Sequence, residues 1–99
     1  SSSFHNTGQT LSAGALAVIV SGNLVHDAGR IAANDGILLQ AGGSVLNRSV
    51  VESALDLVVI AAYLDNDYRL YADRDALLTV GTFANDNLVA ANSRLSWSG

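Results

Sequence analysis

Short runs in which apolar residues occupy every second position return about every 20 residues along the chain, which is the length of a short structural repeat. Two successive copies of this pattern are Ile37, Leu39, Ala41 and Leu57, Val59, Ala61. A spacing of two is the period of a β-strand, in which alternate side chains share one face of a sheet. Polar residues and glycines interrupt the alternation at residues 34–36 and 42–43, where they favour turns. The pattern predicts two or three short strands in each repeat, separated by tight corners.

An Asn or Asp marks the same point of each repeat, at an interval that is nearly constant and shortens slightly along the chain: Asn6, Asp27, Asn47, Asn66 and Asn85. Two positions earlier stands a large apolar residue: Phe4, Val25, Val45, Leu64 and Phe83. Near-constant self-similarity of this kind is typical of a solenoid, in which each repeat stacks on the next. We therefore predict an all-β fold, a parallel β-helix of about five coils, about 24 Å long at one strand spacing per coil.

The Asn and Asp residues are predicted to form a structural ladder at one corner of the coil. Their side chains can bond to the backbone of their own and neighbouring coils, and both residue types tolerate a left-handed backbone. Gly8 and Gly29 follow the first two members, whereas Ser49, Tyr68 and Asn87 replace the glycine in later repeats. We expect the shortening of the later repeats to lie at this same corner.

Composition limits the class of protein. The 99 residues make one domain, residues 1–99, and a hydrophobic share of 49% is enough for a continuous core. The absence of Cys excludes disulfides and thiolate metal sites. A net charge of −4 without any Lys argues against a nucleic-acid partner. No apolar run approaches the roughly 18 residues that would span a bilayer. We expect no cofactor and no insertion into a membrane.

The segment at residues 21–47, SGNLVHDAGRIAANDGILLQAGGSVLN, resembles the repeats of filamentous haemagglutinin and related two-partner-secreted exoproteins, including contact-dependent growth inhibition toxins. The residues that match the family pattern are Gly29, Ile31, Ala33, Ile37, Leu39, Ala41, Gly42, Val45 and Asn47. The resemblance implies a right-handed β-helix that is a fragment of a longer shaft, secreted to the cell surface of a Gram-negative bacterium. It also implies an adhesive role toward a host-cell or bacterial-cell receptor or glycan. The resemblance does not separate a haemagglutinin-like adhesin from a growth-inhibition stick.

A second class of function is a β-helix polysaccharide-active enzyme or a carbohydrate-binding module. Glycoside hydrolysis needs two carboxylates at a defined separation, and Asp56 is predicted to stack on Asp75. Asp75 also belongs to an acidic cluster with Asp65, Asp67 and Asp73, which lacks the spacing of an EF-hand loop and leaves calcium binding undecided. Repeat lengths vary by only two residues, which leaves no insertion to build a cleft. We therefore favour a scaffold, with no catalytic residues and no metal site.

Several outward positions are apolar where alternation predicts polar residues: Ile19, Leu38, Val58, Ile60 and Leu77. Strands buried on both faces have this pattern. We predict that this interaction face packs against flanking repeats, a neighbouring shaft or another copy of the chain. His5 and His26 each precede a ladder residue and are expected to stack on the outer surface.

Overall fold

The computed structural model describes residues 3–85 and 88–98, and within them every strand pairing is parallel. The strands of the described residues are β1 (Phe4–Asn6), β2 (Gln9–Ser12), β3 (Leu16–Val20), β4 (Leu24–His26), β5 (Arg30–Ala33), β6 (Ile37–Ala41), β7 (Ser44–Asn47), β8 (Val50–Ser53), β9 (Leu57–Asn66), β10 (Arg69–Ala72), β11 (Asp75–Asn85), β12 (Leu88–Ala91) and β13 (Arg94–Ser98). Equivalent strands of successive repeats stack on one another, so the chain forms a β-solenoid of about five turns. The predicted all-β parallel architecture is confirmed.

Each coil consists of three strands that lie on three sides of the solenoid. The first side contains β1, β4, β7 and the second halves of β9 and β11. The second side contains β2, β5, β8, β10 and β12. The third side contains β3, β6, the first halves of β9 and β11, and β13. The first coil is thus β1–β3, the second is β4–β6, and the later coils follow in chain order.

The core is made of the inward-pointing side chains of all three sides, which stack in columns along the solenoid. Its fully buried members are Leu24, Ile31, Leu39, Val45, Val51, Leu57, Val59, Leu64, Leu70, Ala72 and Leu78. The inward positions predicted on the third side, Ile37, Leu39, Ala41, Leu57, Val59 and Ala61, are buried as expected. The prediction is wrong at one position on the first side. Leu24, and not Val25, pairs with Phe4 and Val45. Leu24 is buried and Val25 is half-buried.

The second coil holds an extra residue at the corner that follows the first side. His26 lies beside Asn6, a step of 20, whereas Arg30 lies beside Gln9, a step of 21. The additional residue is accommodated at Ala28, whose N–H and that of Asp27 both point to the carbonyl of Asn6. Gly29 follows with φ of 85°, a left-handed backbone that glycine adopts at low cost.

The later repeats shorten at two corners. One residue is lost after the first side, where three residues separate His26 from Arg30 but two separate Asn47 from Val50. A second is lost between the third side and the first. Three residues separate Ala41 from Val45, but only two separate Ala61 from Leu64. There the bend at residues 42–43 gives way to one continuous strand, β9. The expectation that the repeat shortens at the corner of Gly8 and Gly29 is therefore right for the first residue lost and wrong for the second. The second residue is lost where a glycine bend is replaced by extended chain.

The described solenoid is about as wide as it is long, with principal extents of 29 × 27 × 20 Å. Its outer coils are less well covered than its middle, since Leu16 and Val18 are half-buried and Leu95 is 50% exposed. In the described part of the chain, no helix has the length and apolar character to cross a membrane. Rod-like proportions require more coils than these.

Candidate functional site

A line of polar side chains runs along the inside of the corner at the end of the first side. Its members are Asn6, His26, Asn47, Asn66 and Asn85, which succeed one another in register from β1 to β11. Four of them are buried, with Asn66 at 0% and His26 and Asn47 at 1% exposure. Buried polar groups are costly unless each finds a hydrogen-bond partner. We call this line the ladder, and its bonds decide whether the corner is stable.

In the middle coils the ladder is built from amides alone. Asn47 Nδ2 donates to Asn66 Oδ1 at 2.8 Å, and Asn66 Nδ2 donates to Asn85 Oδ1 at 2.8 Å. The second hydrogen of each amide bonds a backbone carbonyl, that of Arg69 at 2.9 Å and that of Tyr68 at 3.3 Å. Each of these two Nδ2 groups therefore has an acceptor for both of its hydrogens, one in a side chain of the next coil and one in the backbone.

In the second coil the ladder position belongs to His26, which corrects the prediction that Asp27 would occupy it. The Asp27 side chain lies at the surface, where its carboxylate meets Arg48 Nη1 at 3.2 Å and His5 Nε2 at 3.5 Å. An ionised carboxylate accepts hydrogen bonds but donates none, so it cannot satisfy the backbone carbonyl of the next coil. A neutral imidazole both accepts and donates. Histidine therefore satisfies the hydrogen bonds of this ladder position, and aspartate would not.

The structure also overturns two related expectations. His26 is buried and does not stack on His5, because His5 pairs with Val25 and stays at the surface. The ladder residues do not use a left-handed backbone, since Gly29 is the one described residue with positive φ. The asparagines sit at strand ends in extended conformation, and their side-chain bonds rather than their backbone tolerance account for their recurrence.

Both ring nitrogens of His26 are engaged. Nε2 lies 2.9 Å from the carbonyl of Val50, and Nδ1 lies 3.0 Å from Asn6 Nδ2. A carbonyl can only accept, so Nε2 carries the proton and Nδ1 accepts from the Asn6 amide. Burial lowers the pKa of His26 below its ordinary value of 6.5, against the opposing effects of the backbone groups of Val50 and Asn6 and of the charge of Asp27. The ring is held as the neutral Nε2–H tautomer.

The orientation of the Asn6 amide is fixed in the same way. Its Nδ2 donates to the carbonyl of Gly8 at 2.8 Å as well as to His26, and its Oδ1 accepts from the Thr10 hydroxyl at 3.1 Å. Because the Gly8 carbonyl cannot donate, the amide nitrogen must face it. Asn6 and His26 together form one bonded unit that joins the first coil to the second.

The acidic residues for which the sequence leaves calcium binding undecided are divided between two corners. Asp65 and Asp67 lie where β9 ends and the chain turns into β10, and Asp73 and Asp75 lie where it turns from β10 into β11. Asp73 Oδ1 accepts hydrogen bonds from the Tyr71 hydroxyl and from Asn92 Nδ2, each at 3.0 Å. The bond to Asp73 also raises the pKa of the Tyr71 hydroxyl. Within residues 3–85 and 88–98, no three His, Asp or Glu side chains gather as a metal would require.

Asp56 and Asp75 do lie side by side, with Arg94 next along the same line. Asp56 Oδ1 accepts from the backbone N–H of Asp75 at 3.3 Å and faces Arg74 Nε at 3.9 Å. Asp56, Asp75 and Arg94 line a groove of about 200 Å³ on the third side. Small-molecule sites are usually about 300–1,000 Å³, so this groove is below their normal size. One of its two carboxylates is also already bonded within the protein.

The apolar residues predicted as an interaction face lie together on the outside of the third side. Leu38, Val58 and Leu77 are successive neighbours in one column, and Ile60 lies in the column of Ile19. Ile19 is 58% and Leu77 is 42% exposed, while the other three are half-buried. An exposed cluster of aliphatic side chains is unusual on an isolated soluble surface. Alternation along the strands predicts a polar exterior, and this interaction face departs from it because its outward side chains are aliphatic.

Comparisons with known proteins do not add an assignment. Protein-family models, curated proteins and solved structures were each searched with this chain, and none of the three gave a match. The features that bear on function are therefore the ladder, the interaction face and the regular coils that carry them.

Proposed function

We propose that this chain is a shaft segment of a secreted bacterial surface exoprotein, acting as a rigid scaffold that displays an adhesive surface. The observation that carries the proposal is the unbroken stack of coils. The nearly constant step from one ladder member to the next leaves every corner of the described coils short. An enzyme of this architecture would need longer corner segments to build walls around a substrate. A scaffold needs only length and stiffness.

The ladder supports the mechanical part of this role. Side-chain bonds of 2.8 Å join the third coil to the fourth and the fourth to the fifth, in addition to the backbone pairing of the strands. Stacked repeats gain stability from each neighbouring interface, so every added coil extends the same structure. A shaft built in this way transmits force along its axis through all three sides.

The interaction face supports the adhesive part. Its aliphatic side chains offer apolar area to a neighbouring shaft, to flanking repeats or to a receptor on a host or bacterial cell. The family resemblance of residues 21–47 favours a haemagglutinin-like adhesin or a growth-inhibition stick. Both belong at the cell surface of a Gram-negative bacterium, and neither requires a cofactor or catalytic group.

A bead-adhesion assay tests the proposal. Fluorescent beads coated with the 99-residue chain are expected to adhere to epithelial or bacterial cells above the level of uncoated beads. The double variant Ile60→Thr, Leu77→Thr keeps good strand formers but removes much of the apolar area, and it should reduce adhesion severalfold. A matched control is Leu11→Thr, which changes an exposed leucine on the second side.

Two results would overturn the proposal. One is adhesion that stays at background for the unmodified chain on every cell type. The other is release of new reducing ends from bacterial or host polysaccharides, which would favour the enzyme alternative and the carboxylates at Asp56 and Asp75.

A further inference from the structure

Within the described ladder, His26 is the one ionisable member. It performs the same two tasks as the Asn66 amide, accepting from the coil before through Nδ1 and donating to the coil after through Nε2. The carbonyl that it bonds, that of Val50, pairs in register with Arg69, whose carbonyl receives the equivalent bond from Asn47. A neutral histidine is therefore an effective substitute for asparagine here. A protonated histidine is not, because it has two donors and no acceptor.

Protonation would disturb the bond to the first coil and leave the bond to the third intact. The new proton on Nδ1 would point at Asn6 Nδ2, which lies 3.0 Å away and is itself a donor. Two donors facing each other at that distance repel, and both are buried. The Nε2–H to Val50 bond is unaffected because its polarity does not change. The conflict is confined to the junction of the first and second coils, which we call the His26 seam.

The Asn6 side chain cannot resolve this conflict by turning over. A flipped amide would place Oδ1 toward the imidazolium, which can donate to it. The same flip would also turn Oδ1 toward the carbonyl oxygen of Gly8, which accepts from Nδ2 at 2.8 Å in the unflipped orientation. It would also lose the bond that Oδ1 accepts from Thr10. Either orientation of the amide leaves like groups in contact. Relief requires that the first coil move away from the second.

Few charged groups surround His26. On its own corner stands Asp27, whose carboxylate favours the protonated ring but already engages Arg48 and His5. Strands β2, β6 and β7 have no ionisable side chain, and β1 carries only His5. On β8 and β5, Glu52 and Arg30 pair with each other at 2.9 Å. Among the described residues, no neighbouring anion is free to compensate for a positive charge inside this part of the structure.

We propose that the His26 seam is an acid-sensitive joint: protonation of His26 opens the ladder corner between the first and second coils while the amide-linked coils beyond it stay closed. The joint responds to mild acid, because a histidine is the side chain that changes charge there. Opening exposes the edges of β4 and β5, which pair with β1 and β2 when the corner is closed.

The direction of the effect follows from linkage. Burial places the pKa of His26 in the folded chain below 6.5, so folding favours the neutral ring. The stability that neutral His26 contributes to the closed structure is fully present above about pH 6.5. It is lost as the pH falls through the lower pKa of the folded state. Within that window the opening equilibrium should rise by up to about tenfold per pH unit.

Amide hydrogen exchange of the unmodified chain tests this joint, because the structure supplies matched probes. The N–H groups of Asp27 and Arg30 bond across the His26 seam, to the carbonyls of Asn6 and Gly8. Equivalent bonds in the amide-linked coils, from the N–H groups of Asp67 and Arg69 to the carbonyls of residues 47 and 49, serve as internal controls. Protection factors corrected for intrinsic exchange should fall between pH 7.5 and 5 for the first pair and stay constant for the second.

The variant His26→Asn restores an amide and should abolish the pH dependence of the first pair. The variant His5→Asn removes the other histidine and should retain it. The proposal is overturned if the seam probes and the control probes respond equally to pH, or if His26→Asn loses protection in acid as the unmodified chain does. Should His26→Asn fail to fold, an NMR titration of His26 in the unmodified chain decides, and a ring that titrates at or above pH 6.5 or carries its proton on Nδ1 contradicts the joint.

Discussion

The two parts of the ladder have the same geometry but different chemistry. From Asn47 to Asn85 each link joins one amide to the next at 2.8 Å, whereas the link between Asn6 and His26 joins an amide to an imidazole at 3.0 Å. An amide does not titrate in the range of pH that proteins experience, and an imidazole does. The difference shows that a repeat position can be filled for its hydrogen-bonding pattern and still introduce a property absent from the other repeats.

The two parts also differ in their backbone. Beside His26 the corner holds one extra residue and the left-handed Gly29, while the corners after Asn47 and Asn66 have neither. The irregular corner and the ionisable side chain thus coincide in the second coil. The middle coils are the regular reference against which this corner can be tested.

The largest effect should come from breaking the amide part of the ladder. Asn66→Ala would leave a buried donor of Asn47 and a backbone carbonyl without partners, at a cost of about 2–4 kcal/mol of unfolding free energy. The matched change is Asn6→Ala in the first coil, where 9% exposure lets water replace some bonds, and a loss of about 1–2 kcal/mol is expected. Urea denaturation at pH 7.5 measures both. Equal losses would show that the two parts do not differ in burial as described.

A smaller effect should come from the irregular corner. A Cβ on Gly29 would collide with the carbonyl oxygen of Gly8 and would sit on a left-handed backbone, so Gly29→Ala should cost about 1–3 kcal/mol. The paired control is Gly8→Ala, where an added Cβ meets no atom within 4 Å and the change should stay within about 0.5 kcal/mol. Thermal unfolding followed by circular dichroism distinguishes them. A tolerant Gly29 would mean that this corner relaxes easily and that the extra residue is not tightly held.

The smallest effect concerns the surface ion pair beside the same corner. Arg48, and next His5, hold the pKa of the Asp27 carboxyl below its usual 3.8. Their contribution to stability is present above about pH 3.8 and is lost as the pH falls through the lower pKa of the folded state. Arg48→Gln should move the Asp27 pKa back toward 3.8 in an NMR titration, with little change in stability at neutral pH because the pair is exposed. An unchanged pKa would remove Arg48 as the cause.

The sequence predicted the stacked columns well because large aliphatic residues at a constant period leave few alternative registers. Ile37, Leu57 and Ala76 could be aligned without ambiguity, and the structure pairs them. At residues 24–27 two registers one residue apart both place an apolar residue inward. Spacing alone could not decide whether Leu24 or Val25 points inward. Because Asp27 resembles asparagine, the prediction placed Asp27 in the ladder and Val25 in the core, which is the wrong register.

A chemical argument could have made that choice. A buried ladder position needs a group that accepts from one coil and donates to the next, which a carboxylate cannot do and a neutral imidazole can. The short corner of the third coil had a signal as well, because residues 42–43 are both glycine and their counterpart near Ala62 is not. What the pattern could not give is the tautomer of His26, which depends on the carbonyls that surround it.

The bonds of the ladder share a direction. In each described link the donor belongs to the earlier coil and the acceptor to the later one, and His26 preserves this sense by donating onward to Val50. Aligned hydrogen bonds polarise one another, so each link is strengthened by those in line with it. The corner therefore has an electrical polarity along the solenoid axis, in addition to the polarity of the chain. Two solenoids stacked head to tail would extend that dipole, and two packed side by side in opposite directions would cancel it.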